Sequence, residues 1–146
     1  MFKHILIATD GSRVASKAAR AGIALASRLG AKITAYSAVE ALQALGFEGY
    51  AMDAKTIEFL EEQARRAVRK RVEPIAKMAK AARVPCASVV TKGSTLYQAI
   101  IEAAKKRRCD VIIMGSHGRR GFSKLILGSV TQQVLAHTKL PVLVYR

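Results

Sequence analysis

The stretch HILIATDGS, residues 4–12, decides the fold. Its first five residues, His4–Ala8, form a short continuous apolar run, the pattern of a strand covered on both faces of its sheet. The run passes directly into Thr9-Asp10-Gly11-Ser12, where Ser12 is a candidate helix cap because its hydroxyl accepts a free N–H of the first turn. Ala15, Ala18, Ala19, Gly22, Leu25, Ala26 and Leu29 then recur at helical spacing, and Gly30 marks the stop. The alternation continues outward from this unit. Lys32–Val39, Pro85–Thr91, Asp110–Met114 and Pro141–Tyr145 read as further strands. Residues 40–55, with Gly46 and Gly49 and no clear period, read as a loop.

A long amphipathic helix is expected from Thr56, with Ile57, Leu60, Ala64, Val68, Ile75, Met78 and Ala82 inward. Pro74 falls inside it and predicts a kink or break near residues 70–74. Lys92-Gly93-Ser94 reads as a turn into a helix carrying Leu96, Ala99, Ile100, Ala103 and Ala104, and Thr131–His137 as part of the last helix. Strands joined by helices of this length give one parallel sheet with helices on both faces, an α/β fold in a single domain over residues 1–146. Ligands of such sheets bind outside the carboxyl ends of the strands, which singles out the loops after Ala8, Val39 and Met114.

The net charge is +15, and it is uneven. Residues 1–73 hold 12 basic and 8 acidic side chains, net +4, whereas residues 74–146 hold 13 and 2, net +11. An anionic partner would therefore meet the second half. Arg65, Arg66, Arg69, Lys70 and Arg71 read as a solvated helix face partly paired with Glu58, Glu61 and Glu62. Lys105-Lys106-Arg107-Arg108 suits the negative end of a helix dipole, against an RNA-binding reading of the same four residues. With aromatics at 5% and no Trp, stacking platforms are scarce, so nucleic-acid binding would be unspecific. No apolar run approaches the ~18 residues of a membrane span, and the opening residues lack the form of a signal peptide. Cys86 and Cys109 lie outside any CxxC pattern and read as buried thiols. Together these features predict a cytoplasmic protein.

The segment after the fourth strand carries the chemistry. From Gly115 to Ser129 the spacing is G-x2-G-x9-G-S. Gly115 and Gly118 would let the backbone pass close to a ligand and take positive φ. Gly128-Ser129 precedes a helix, whose free N–H groups and positive dipole end suit a phosphate. Ser129 and Thr131 add hydroxyls, and Arg119, Arg120 and Lys124 lie between the glycine pairs. A Walker A pattern and a dinucleotide G-x-G-x-x-G are both absent. A surface turn that needs glycine only for geometry is the competing reading.

ILIATDGS, DVIIMGSHGRRG, LILGSVTQQVL and PVLVYR resemble the universal stress protein family over nearly the whole chain, and the glycine motif is similar to that of its ATP-binding branch. The resemblance implies a five-stranded sheet in the order 3-2-1-4-5, an adenine nucleotide alpha hydrolase-like fold. It also implies that Asp10 contacts the ribose or adenine end, that Ala8 and Thr9 line the pocket, and that Ala38 or Val39 packs on adenine. Met114, Gly115, His117, Gly118 and Arg119 would follow the ribose and phosphate path, and Gly128, Ser129, Val130 and Thr131 would hold the phosphates. Magnesium or manganese would accompany those phosphates. A homodimer paired through Pro141–Tyr145 and an unidentified protein partner complete the expectation, with ATP, AMP or a cyclic nucleotide as ligand. Asp10 has a plainer reading as a helix-capping group. His117 has no Cys or carboxylate cluster near it in sequence, which argues against a metal cage. Ser116, Ser123 and His117 form no recognisable triad, so ATP hydrolysis would be slow at most.

Overall fold

The computed structural model describes residues 1–40, 53–93, 95–118 and 127–146. In chain order they form β1 (His4–Ala8), α1 (Arg13–Leu29), β2 (Lys32–Glu40), α2 (Ala54–Ala81), β3 (Cys86–Gly93), α3 (Leu96–Lys106), β4 (Val111–Gly115), α4 (Ser129–His137) and β5 (Val142–Tyr145). The strands make one parallel sheet in the order β3-β2-β1-β4-β5. This is the order the family resemblance implies. β1 and β4 are fully buried along their length because helices cover both faces.

Strand alternation sorts the core into two halves. Ile5, Ile7, Ile33, Ala35, Val111 and Ile113 meet α1 and α2 on one face. Leu6, Ala8, Tyr36, Ala38, Ile112 and Met114 meet α3 and α4 on the other. Gly22 lets α1 lie close on the first face, since a Cβ there would sit 2.9 Å from Ile7 Cδ1.

Several expectations need correction. α2 runs through Pro74 as one helix, so the predicted break does not occur. Pro74 and Lys70 are both exposed, so the carbonyl deprived of its N–H partner turns toward water. α2 begins at Ala54 rather than Thr56, with the Asp53 side chain accepting the Thr56 N–H at 3.0 Å. Its first turns lie outside the core: Ile57 is exposed, and burial starts at Val68. Lys92 and Gly93 extend β3 instead of turning the chain, because they pair with Val39 and Glu40. Glu62 pairs with Arg66 as expected, but Glu61 pairs with Lys92 across to β3. Cys109 is buried, whereas Cys86 is half-buried. Arg119, Arg120, Ser123 and Lys124, together with most of the loop expected at residues 40–55, lie outside the described residues.

Candidate functional site

In this sheet order the chain leaves β1 toward β2 on one side and meets β4 on the other, so a crevice opens at the carboxyl ends of β1 and β4. The turn after β1 is held from within. Thr9 N–H extends the ladder to the Tyr36 carbonyl at 2.9 Å. The buried Ser37 hydroxyl donates to the Thr9 carbonyl at 2.7 Å. Gly11 N–H donates to Thr9 Oγ1 at 3.1 Å, and Ser12 N–H donates to Asp10 Oδ1 at 2.9 Å. Ser12 is the N-cap of α1, as read from the sequence, and accepts the Ala15 N–H. Asp10 is therefore not that cap; it braces the turn one step ahead of it.

The turn after β4 is built against the first. Ser116 N–H donates to the Tyr145 carbonyl at 2.7 Å, and Gly128 N–H donates to the Ser116 carbonyl at 2.8 Å. Gly115, Gly118 and Gly128 do not take the positive φ expected of the first two. Their need for glycine comes from crowding. A Cβ on Gly118 would lie 2.7 Å from Asp10 Oδ2, one on Gly115 3.1 Å from Val14 Cγ1, and one on Gly128 3.2 Å from His117 Cα. The sequence-predicted residues Asp10, Gly115, His117, Gly118 and Gly128 thus converge on one small region.

Gly128 also caps α4 without a side chain of its own. The first bond of α4 is from Gln132 N–H to the Gly128 carbonyl, so the N–H groups of Ser129, Val130 and Thr131 have no partner within the helix. Thr131 is buried and its hydroxyl donates to the Gly115 carbonyl at 3.0 Å, so its proton ties α4 to β4. Ala8, Ala38 and Met114 face the α3/α4 side. Val39 lies on the opposite side by alternation, so the two candidates of β2 are separated. Ser116 Oγ and His117 Nδ1 lie 3.0 Å apart.

Sequence reasoning missed Arg71. The sequence reads it as part of a solvated face, yet a Cβ on Gly11 would lie 3.2 Å from Arg71 Cγ, and the arginine lines a cavity of about 210 Å³ with Thr9, Gly11 and Ser16. Helical spacing gives the face a residue occupies and not the turn it reaches. A larger cavity, about 740 Å³, lies away from the crevice between α2 and β3. Burial pushes both thiols above their ordinary range, which leaves them protonated and poorly nucleophilic. Among the described residues no group of three or more His, Cys, Asp or Glu could hold a metal ion. No helix among them is long and apolar enough to cross a membrane.

A sequence model of the universal stress protein family matches residues 1–146. Universal stress protein MJ0531 of Methanocaldococcus jannaschii is 31% identical over 146 residues, all of this chain and 83% of that protein. A universal stress protein of Thermus aquaticus is 33% identical over 146 residues, covering the whole of both chains. The solved structure of MJ0577, from the same Methanocaldococcus species, superimposes with a TM-score of 0.84 at 25% identity, over 99% of this chain and 96% of that one. Two more distant structures share the fold. One is a universal stress protein in complex with cAMP (TM-score 0.72, 20% identity, 99% and 97% covered). The other is an Arabidopsis thaliana protein of the family with AMP bound (TM-score 0.66, 14% identity, 97% and 90% covered).

Proposed function

The chain belongs to the universal stress protein family, and from that premise we propose that it is an ATP-binding regulatory protein of the stress response. The observation that carries the reading is the first turn of α4. Its N-cap, Gly128, supplies no capping side chain, and Gly115, Gly118 and Gly128 hold positions beside the β1 turn where an added Cβ would press on a neighbour. Such a turn presents donors and a positive dipole end to a phosphate chain. Adenine nucleotides on two structural relatives support the choice of ligand class. The full G-x2-G-x9-G-S spacing supports a triphosphate within it.

In this reading Ala8 and Ala38 form the adenine wall, and Asp10 meets the nucleoside end. Met114, Gly115, His117 and Gly118 follow the ribose and first phosphate. Gly128, Ser129 and Val130 grip the tail, and Thr131 fixes their position through the Gly115 carbonyl. The donor set fits phosphates and not a bare cation, so magnesium or manganese enters with the nucleotide. Occupancy is read by a protein partner or by a second copy paired at the edge strand β5, where Leu143 is exposed. Hydrolysis is slow at most: among the described residues Asp10 is the carboxylate at the crevice, one of its oxygens accepts the Ser12 N–H, and the other is assigned to the nucleoside end rather than to a water.

Mass spectrometry of the small molecule that copurifies, followed by titration of ATP, AMP and cAMP, tests the reading. The Gly118→Val/Ser129→Ala double variant is expected to stay folded and lose most ATP affinity. Equal binding by parent and variant would refute the phosphate cradle. His117→Ala should leave the low turnover unchanged.

A further inference from the structure

Helices α1, α2 and α3 end in the same way. Ala31, Val84 and Cys109 each donate an N–H to the carbonyl five residues back, those of Ala26, Ala79 and Ala104, at 2.9, 2.9 and 2.8 Å. The residue before each donor is left-handed: Gly30 at φ 63°, Arg83 at 57° and Arg108 at 55°. Glycine takes this conformation freely, whereas an L side chain there crowds its own carbonyl. Arg83 and Arg108 are both exposed, so packing does not account for their presence at strained positions.

Both arginines are delivered to the amino-terminal end of the sheet, just ahead of β3 and β4. The exposed cations Lys3 and Lys32 open β1 and β2 there, Lys105-Lys106-Arg107 precede Arg108, and Lys139 lies ahead of β5. A strand spacing of about 4.8 Å puts the Arg83 and Lys139 ends of this row about 19 Å apart. Lys32 and Arg107 both act against the proton of His4, so cations from separate elements meet at one spot. The acid among them, Asp110, is engaged by the backbone N–H groups of Lys3 and His4, and Glu102 stands one turn back on α3. Among the described residues the ion pairs are Arg66–Glu62 and Lys92–Glu61, neither of them at this end. Helix dipoles explain cations in the last turns, but not Lys3, Lys32 and Lys139, nor arginine where glycine is at ease.

We propose that the amino-terminal end of the sheet is a sequence-independent docking surface for the phosphate backbone of duplex nucleic acid, on the pole opposite the nucleotide crevice. Single strands are disfavoured because, among the described residues, the aromatic at this end is Phe2, which is half-buried against the core rather than free for stacking. An anionic membrane is disfavoured because the helices meet the surface end-on, and the exposed large apolar residues near it among the described ones, Met1, Leu29, Leu135 and Leu143, are scattered over separate elements and form no continuous apolar helix face.

Anisotropy titration of a labelled duplex of arbitrary sequence, between about 50 and 200 mM salt, tests the proposal. About six phosphate contacts would give a log–log salt slope near −5. Arg83→Gly/Arg108→Gly should reduce the slope by about 2 and weaken low-salt binding roughly tenfold. The same variant should melt a few degrees higher, because the left-handed strain is gone. Arg65→Gln/Arg69→Gln removes equal charge from α2 and should change affinity less than about twofold. ATP at matched free magnesium should leave the duplex in place. No duplex binding at low salt, equal losses in the two double variants, displacement by ATP, or preference for phosphatidylserine vesicles over the duplex would each overturn it.

Discussion

The two ends of the sheet use glycine in opposite ways. At the carboxyl end Gly115, Gly118 and Gly128 have no unusual φ, yet a Cβ on each would press on a neighbouring loop or helix. At the amino end Gly30 has φ 63°, yet a Cβ there would meet nothing within 4 Å. Space dictates glycine at those three positions and torsion favours it at Gly30, while Gly11, in the turn after β1, answers to both, with φ 80° and Arg71 Cγ 3.2 Å from where its Cβ would be. The consequence differs too. A crowded position accepts no other residue without moving its neighbour, while an open left-handed position accepts any residue at a modest cost. Arg83 and Arg108 occupy open positions of that kind. One end is thereby fixed in shape, and the other is free to carry charge.

The largest test of this contrast is Gly115→Val. Its side chain would enter the contact with Val14 and the Ala15 N–H, and overpacking of this kind costs about 1–3 kcal/mol. Urea unfolding followed by circular dichroism measures it. A variant as stable as the parent would mean that the carboxyl end yields, and the contrast would fail. Gly30→Ala and Gly30→Arg come next. Each should cost about 1 kcal/mol, and the two should agree closely, because only torsion is at stake. An arginine much worse than alanine would show that space matters at this end as well.

The contrast also explains what could be read in advance. β1, β4 and the Gly30 stop were legible because apolar runs and helix punctuation are local signals. The glycine motif was legible as a pattern, but the reason for its glycines was not. That reason is the approach of Asp10 to Gly118, two residues 108 positions apart in sequence. Of the kink or break expected at Pro74 the break does not occur, because the cost of a lost bond depends on its surroundings and both Lys70 and Pro74 are exposed to solvent. Arg71 and the left-handed arginines gave no sequence sign, since neither a tertiary neighbour nor a φ angle is written in residue type. The separation of Ala38 from Val39 follows from alternation once β2 is placed in the sheet.

The smallest expected effect lies at the charged end and concerns His4. Its ring is buried, with Nε2 2.8 Å from Thr34 Oγ1. Burial holds its pKa below the ordinary histidine value and the charges of Lys32 and Arg107 lower it further, while the Asp110 charge and a hydrogen bond to the Arg107 backbone pull the other way. The folded state therefore binds a proton less readily than the unfolded chain. Stability is complete above the unfolded pKa near 6.5 and declines as the pH falls below it, levelling once the folded ring is also protonated. His4→Gln should flatten that part of the profile. Salt should flatten it only in part, because it screens Lys32 and Arg107 but leaves the burial contribution standing. A profile that salt abolishes would put the exposed cations ahead of burial, and the charged end would then govern its own packing. A profile unmoved by salt would show that the cations are too well hydrated to act even on their nearest neighbour, which would weaken the case for a concentrated field at this pole.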